Sequence, residues 1–446
     1  MIGKSADQNQ RNLFNPLLTD FIDMRHELVL LANKIEWEYF EKEFSGFYSI
    51  TGQPAVPIRL MVGCLLLKQM YNLGDETLAQ AWVRDPYMQY FCGEAHFQHR
   101  FPFDPSDFVH FRKRIGLDGV EKIFNHTVSL HGDKAASKMV LSDTTVQENF
   151  ITYPTDAKQY KRVIDDVNRI SEKEGYTQRQ RYTRISKQLL RDTYNGNHPR
   201  RKKKARKAIR SLCTIGNRVV RELERNLDEV KRGQYSQKLD LYSKILSQKR
   251  NDKDKIYSLH KPYTACIAKG KAARQYEYGN KVGLMVNPKT LTILAVKSYE
   301  GNPHDSKTIE PLLEQMKAND IRLPQEIVYD RGGRGEREIC GVKISTPGKP
   351  KRHDTPYEKR CKREKFRRRA AIEPIIGHLK SQFRMGQNYL SGKQSPQMNA
   401  FLSAAAWNLK KLMEQLIENG KKQIFALLEK LFFFPFINFK NFITAS

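Results

Sequence analysis

Cysteine is sparse and solitary in this chain of 446 residues: Cys64, Cys92, Cys213, Cys266, Cys340 and Cys361 are scattered, with no two close in sequence. That scatter excludes a zinc ribbon and the disulfide framework of a secreted domain, and it points to a reducing compartment. Long apolar runs are missing too. The longest, 431–439, is interrupted by Pro435 and is too short to span a bilayer, and no charged-then-apolar leader opens the chain. The expected location is the cytoplasm, with no membrane partner. Acidic residues are the third scarcity, because 49 Asp+Glu face 78 Lys+Arg and leave a formal net charge of +29. A field of that size concentrates polyanions, and nucleic acid is the commonest polyanion in a cell. A merely solubilising surface would mix both signs.

What is present is enough apolar material, 39% spread along the whole length, for several packed cores. At roughly 150 residues per domain the length suggests about three units. The first, 1–132, reads as an all-α segment with leucine and aromatic residues three and four apart and punctuation at 52–57 and 93–105. Within it, a helix over 58–71, a break at Leu73-Gly74 and a second helix capped by Asp75 have the outline of a helix-turn-helix or of an ordinary hairpin in a bundle. A third helix from Ser106 directs Phe108 and Phe111 to a core and Arg112, Lys113 and Arg114 to solvent, where they are candidates for phosphate contact.

At residue 138 the pattern changes to α/β. A β-rich run over 138–146 carries Asp143, two strands over 281–286 and 291–298 flank an Asn-Pro-Lys-Thr turn, a helix runs over 309–316, and strands follow at 326–330 and 342–345. That order implies a mixed sheet. It is interrupted at 158–255 by a polar helical stretch that reads as an inserted arm, and within the arm 200–210 holds eight basic and no acidic residues, beginning with Arg200, Arg201, Lys202, Lys203 and Lys204. A helix from 397 ends at Asn419-Gly420, leaving an aromatic tail over 421–446.

Asp143 and Asp330 both end apolar β-runs, and neighbouring strands would bring their carboxylates to one sheet edge. In so basic a protein, two such residues suggest a Mg²⁺ site, since hard cations take carboxylate and phosphate oxygens together. Forty-three residues after Asp330 comes Glu373, on a helical pattern that places Phe366, Arg369, Glu373 and Lys380 within about 60° of arc at 100° per residue. Pro374 is awkward inside that pattern, so the helix is expected to begin near it. The preceding window, 348–369, has 11 basic and 3 acidic residues.

The spacing Phe366-x2-Arg369-x3-Glu373-x6-Lys380 resembles the Tyr-Arg-Glu-Lys signature of the DDE-type transposases of bacterial insertion sequences, with Phe366 where the family has Tyr. Asp143 in Leu-Ser-Asp-Thr-Thr and Asp330 in Val-Tyr-Asp-Arg-Gly-Gly match the family's first and second acidic positions, and Val-Pro-Ile-Arg at 56–59, Tyr-Phe-Cys-Gly at 90–93 and Arg-Lys-Arg-Ile-Gly at 112–116 look like the helical module of the insertion-sequence-five group. The resemblance implies a ribonuclease-H-like catalytic domain over 133–420, an N-terminal DNA-binding domain, and a homodimer acting on terminal inverted repeats and target DNA in a bacterial nucleoid. It implies two Mg²⁺ ions, replaceable by Mn²⁺, held by Asp143, Asp330 and Glu373, with Phe366, Arg369 and Lys380 on DNA. By the same resemblance, such a site would supply activation of water and then of a DNA 3′-hydroxyl for in-line phosphoryl displacement.

Other residues read as structural. Asp305, after His304, is a helix N-cap, and His378 lies off the face of Glu373. A DNA-binding protein without catalysis, a decayed transposase, and a nuclease that cuts without joining are the competing readings.

Overall fold

The computed structural model describes residues 3, 15–49, 51–52, 54–269, 275–333, 335, 337–348 and 353–443, with no side chain described after residue 422 or at residue 331. Six helices open the chain: α1 Glu27–Lys34, α2 Trp37–Ser45, α3 Ile58–Met70, α4 Asp75–Arg84, α5 Pro86–Phe91 and α6 Asp107–Ser129. Helix α3 is apolar nearly all round and buried from Leu60 to Gln69, so it forms the axis of a bundle. The outer face of α4 presents Glu76, Thr77, Gln80 and Arg84, without the basic stripe of a recognition helix. The α3–α4 pair is therefore a hairpin inside a bundle. Asp75 is the first residue of α4, and Gly74 takes the cap position.

The sheet is built on β1 Met139–Asn149, followed by the arm helices α7 Asp156–Lys173, α8 Thr183–Asp192, α9 Pro199–Asn226 and α10 Glu229–Ser247. The sheet resumes with β2 Ala265–Ala268, β3 Tyr276–Val286 and β4 Ile293–Tyr299; α11 Ile309–Ala318, β5 Glu326–Val328, β6 Glu338–Ile339 and β7 Val342–Ser345 follow, then α12 Pro356–Arg369, α13 Ile372–Ser381, β8 Gln387–Asn388 and α14 Ser395–Ile443. Strands β1, β3 and β4 are antiparallel neighbours, whereas β1, β5 and β7 run parallel and β6 returns antiparallel on β7. The result is a mixed sheet with helices, compatible with the ribonuclease-H-like fold expected from the sequence. The β3–β4 turn forms as its composition requires, Asn287 Oδ1 accepting from Lys289 N at 2.8 Å. Leu291 has φ +59°, so β4 begins two residues later than its apolar pattern predicts.

One apolar core runs from the N-terminal helices through Val140, Leu284 and Val328 of the sheet to Phe401 and Leu409 of α14. The arm has a second core of its own, built from Val163, Val167, Leu212, Val219, Tyr242 and Ile245. Residue 132 thus marks a change of secondary structure within a shared core, while the arm is separately packed. Helix α14 continues past Asn419-Gly420, because Gly420 is not in the left-handed conformation that a terminating cap needs. The aromatic side chains at 424–439 lie outside the described residues.

All six cysteines are free, although Cys64 and Cys92 bring their sulfurs to 3.7 Å in the bundle core. Among the described residues no helix is long and apolar enough to cross a membrane.

Candidate active site

Register brings the two aspartates together. Leu141 of β1 pairs with Val328 of β5 in parallel, and Asp143 and Asp330 each lie two residues further along. Asp330 follows the end of β5, but Asp143 is corrected from a strand end to the interior of β1, which continues to Asn149 because it stays paired with β3. Apolar residues on both strands drive that pairing, Leu141 and Val328 being wholly buried. Asp143 is itself largely buried, with 16% of its side chain exposed. Burial pushes its carboxyl up to about 6; the Thr144 N–H (2.8 Å) and the Arg369 guanidinium pull it down, while the charges of Asp330 and Asp305 push it further up. Asp330 accepts from Gly332 N at 2.8 Å, which closes the turn after β5.

Glu373 arrives from the other direction. Helix α12 ends at Arg369 and α13 starts at Ile372, so the run that looked like one helix breaks at Ala370-Ala371. The break falls where Pro374 needs it: in the first turn of α13 its missing N–H costs nothing. Two contacts fix the end of α12 on the sheet, Lys365 to Glu326 of β5 and Arg368 to the carbonyl of Pro288 in the β3–β4 turn. Arg369 is thereby aimed inward, and its Nη1 and Nη2 lie 3.1 Å from Asp143 Oδ2 and 3.1 Å from Glu373 Oε1. Glu373 remains 64% exposed. Lys380 sits two turns along α13, partly buried, and Phe366 packs against the core with only part of its ring outside.

The structure adds a carboxylate that the sequence reading treated as a cap. His304, not Asp305, caps the short 3₁₀ turn before α11. The carboxylate of Asp305 instead accepts from Thr144 Oγ1 at 3.0 Å and pairs with Lys281 Nζ at 2.9 Å. A methyl group on Gly332 would stand 2.6 Å from Asp305 Oδ2 and 3.0 Å from Asp330 Oδ1, so these two carboxylates flank one glycine. No local signal separates this aspartate from an ordinary helix cap; only the side-chain pattern of β1 and β3, with Thr144 and Lys281 pointing the same way, could have done so.

The basic candidates divide. Arg112 is corrected from solvent to interior: it is buried and its fork grips Asp75 at 3.2 and 3.4 Å, because α6 turns that position toward α4. Lys113 is exposed, and the exposed Arg114 lies over the Tyr48 ring at 4.8 Å. Arg200, Lys202 and Lys203 are exposed on the outer face of α9, Arg201 is half-buried, and Lys204 pairs with Asp192 at 2.8 Å. Inward-facing Ala205, Ala208 and Leu212 account for that orientation. His378 stacks on Trp407 and is structural.

Asp143, Asp330 and Glu373 offer only carboxylate oxygens, the donors of a hard divalent cation. Asp143 carries a buried charge that one shared guanidinium only partly offsets. The chemistry of the donors therefore fits Mg²⁺, although among the described residues no three acidic, His or Cys side chains stand close enough to hold an ion together.

Residues 16–114 match the Transposase domain (DUF772) and residues 246–409 match the Transposase DDE domain. The second match takes in Asp330 and Glu373 but begins after Asp143 and most of the arm. A relative from Rhizobium meliloti, the uncharacterized protein ORF8 in the nfe locus, is 39% identical over 183 residues, which is 40% of this chain and 88% of that protein. No solved structure matches the chain.

Proposed function

The chain belongs to the DDE transposases, and from that premise we propose that it cuts DNA at the ends of an insertion sequence and joins the freed 3′-hydroxyl to target DNA. The observation that supports this reading is the parallel register of β1 and β5, which sets Asp143 and Asp330 each two residues beyond a paired position, with Arg369 linking Asp143 to Glu373 at the start of α13. Asp143, Asp330 and Glu373 would hold two Mg²⁺ ions, or Mn²⁺ in their place. Bound there, the ions would supply an activated oxygen nucleophile and charge stabilisation for the leaving oxygen.

The chain's own residues supply the rest. Arg369, released from the carboxylates it now joins, becomes a fork for a phosphate beside them, and Lys380, two turns beyond Glu373 on the same face of α13, is a point charge. Asp305 is a positioning residue: through Thr144 it holds β1, and through Gly332 it sits against the turn that carries Asp330. Lys113, Arg114 and the arm's Arg200, Arg201, Lys202 and Lys203 bind backbone phosphates and orient the duplex without reading its sequence. Two copies of the chain act on the paired ends.

The test is nicking of an end-labelled duplex carrying the element's terminal repeat, with Mg²⁺ and with EDTA. Asp330→Asn should lower cleavage by about 10² to 10³ while leaving duplex affinity unchanged. A wild-type chain that binds the repeat but never cuts it would leave a DNA-binding protein without catalysis.

A further inference from the structure

A second charged hollow lies away from the carboxylates, where α3, α4 and α6 meet the turn after α13 and the loop at 389–395. It is a cleft of about 860 Å³. Lys68 and Arg112 line it with side chains 9% and 8% exposed, and both hold the same carboxylate, Asp75. Arg384, half-buried, faces the same hollow from a backbone with φ +60°, a conformation that L residues rarely adopt. With Lys113 and Lys393 also on its lining, the hollow sets five cations against the one carboxylate of Asp75, an excess of positive charge. Burial, reinforced by the neighbouring Arg112 and Arg384, pushes the Lys68 ammonium down to about 8. Buried charge in such excess calls for an anion.

At the mouth stands an aromatic pair. Arg384 lies over the ring of Tyr389 at 5.1 Å, and the ring of Phe150 lies 5.0 Å from Tyr389, tilted by 36°. Both rings are open to solvent, Phe150 being 60% and Tyr389 51% exposed. They are nonetheless rigidly carried, since β1 pairs with β8 and Phe150 N donates to the Asn388 carbonyl at 3.0 Å. A duplex keeps its bases stacked inside, so it has little use for exposed rings beside a recessed phosphate pocket. An unpaired nucleotide uses both.

We propose that this hollow binds single-stranded DNA, a backbone phosphate entering between Lys68, Arg112 and Arg384 while an unpaired base stacks on Phe150 and Tyr389. Phe150 directly follows β1, seven residues beyond Asp143 and roughly 23 Å away along the strand direction, so the hollow is distinct from the cutting site. The inference rests on the transposase reading for the source of the strand, which is a cut or splayed DNA end.

The probes are a 12-nucleotide single strand containing 2-aminopurine and a duplex of the same composition, titrated against the full chain by fluorescence anisotropy at fixed salt. Replacing both rings, Phe150→Ala with Tyr389→Ala, should weaken single-strand binding about tenfold or more and abolish 2-aminopurine quenching, with duplex affinity held within about twofold. Arg384→Gln should weaken the single strand and flatten its log–log salt dependence by about 0.7, whereas Arg384→Lys should retain binding. Unchanged single-strand affinity in the ring variant, or equal losses for single strand and duplex, would overturn the proposal. If Arg384→Gln fails to fold, the ring variant decides, because it removes only exposed side chains. Cleavage is scored separately. A chain that binds the single strand here but cuts no repeat keeps this inference and loses the enzymatic reading; a chain that cuts while the ring variant binds normally loses this inference alone.

Discussion

Arg369 joins Asp143 to Glu373: one guanidinium, 18% exposed, reaches a buried strand carboxylate and an exposed helix carboxylate at 3.1 Å each. Removing it strands the Asp143 charge. Arg369→Gln is expected to lose about 1 to 3 kcal/mol of stability in EDTA, the cost of a buried charge left without its partner. Mg²⁺ should restore part of that loss by replacing the missing cation. Urea denaturation with and without Mg²⁺ checks both halves, and a variant as stable as wild type in EDTA would reduce the link to a surface contact.

The raised Asp143 carboxyl makes stability depend on pH in a defined direction. Folding lifts its pKa from 3.8 to about 6, so the folded chain binds this proton more tightly than the unfolded one. Its stabilising contribution is complete below about pH 4 and is lost as pH rises through 6. Asp143→Asn should therefore be more stable than wild type at pH 8 without metal, by on the order of 2 kcal/mol, and the gap should close toward pH 4. Mg²⁺ should reverse the ranking at pH 8, because it binds only the carboxylate form. Denaturant midpoints at the two pH values provide the measurement.

Gly332 is a steric test of the site that leaves every charge in place. A methyl there collides with Asp305 Oδ2 and crowds Asp330 Oδ1. Gly332→Ala should lower cleavage by about 10², as displacement of reacting groups by about 1 Å does, with a stability loss below about 2 kcal/mol. Nicking activity retained at the wild-type level would show that the placement of Asp330 does not limit the reaction.

The arm predicts a salt signature. If about six phosphates are neutralised, duplex affinity should fall by about three decades between 50 and 200 mM salt. Changing Arg200, Lys202 and Lys203 to Gln should weaken binding and flatten the log–log slope by about 0.9 for each lost phosphate contact. Anisotropy across a salt series measures the slope, and an unchanged slope would assign the run to a solvated helix face.

The parts of this architecture that repeat in sequence are the parts that could be read there. The apolar pattern of β1 and β5 located Asp143 and Asp330 near neighbouring strands, the Asn-Pro-Lys-Thr turn located the β3–β4 hairpin, and Pro374, just after Glu373, marked the start of a helix. Short elements carried no such signal: β6 and β8 are two residues each and exist because longer strands lie beside them. Asp305 looked like a helix cap because a cap and an interstrand acceptor have the same local sequence. Arg112 looked exposed beside Lys113 and Arg114, but a basic cluster does not reveal which member faces Asp75, thirty-seven residues away. Gly420 signalled a helix end, yet a glycine permits termination without enforcing it.

The arm leaves the sheet after Asn149 and comes back at Thr264, and the side chains of those two residues are hydrogen-bonded at 3.0 Å. The whole excursion thus starts and finishes at a single point beside β3, where Asn280 accepts from the same Asn149 amide at 2.9 Å. Because loop closure grows costlier only slowly with length, chain can be added or removed beyond that gate with little penalty to the sheet. The arm is in this sense a graft with its own core, whose length is uncoupled from the register of the carboxylate-bearing strands.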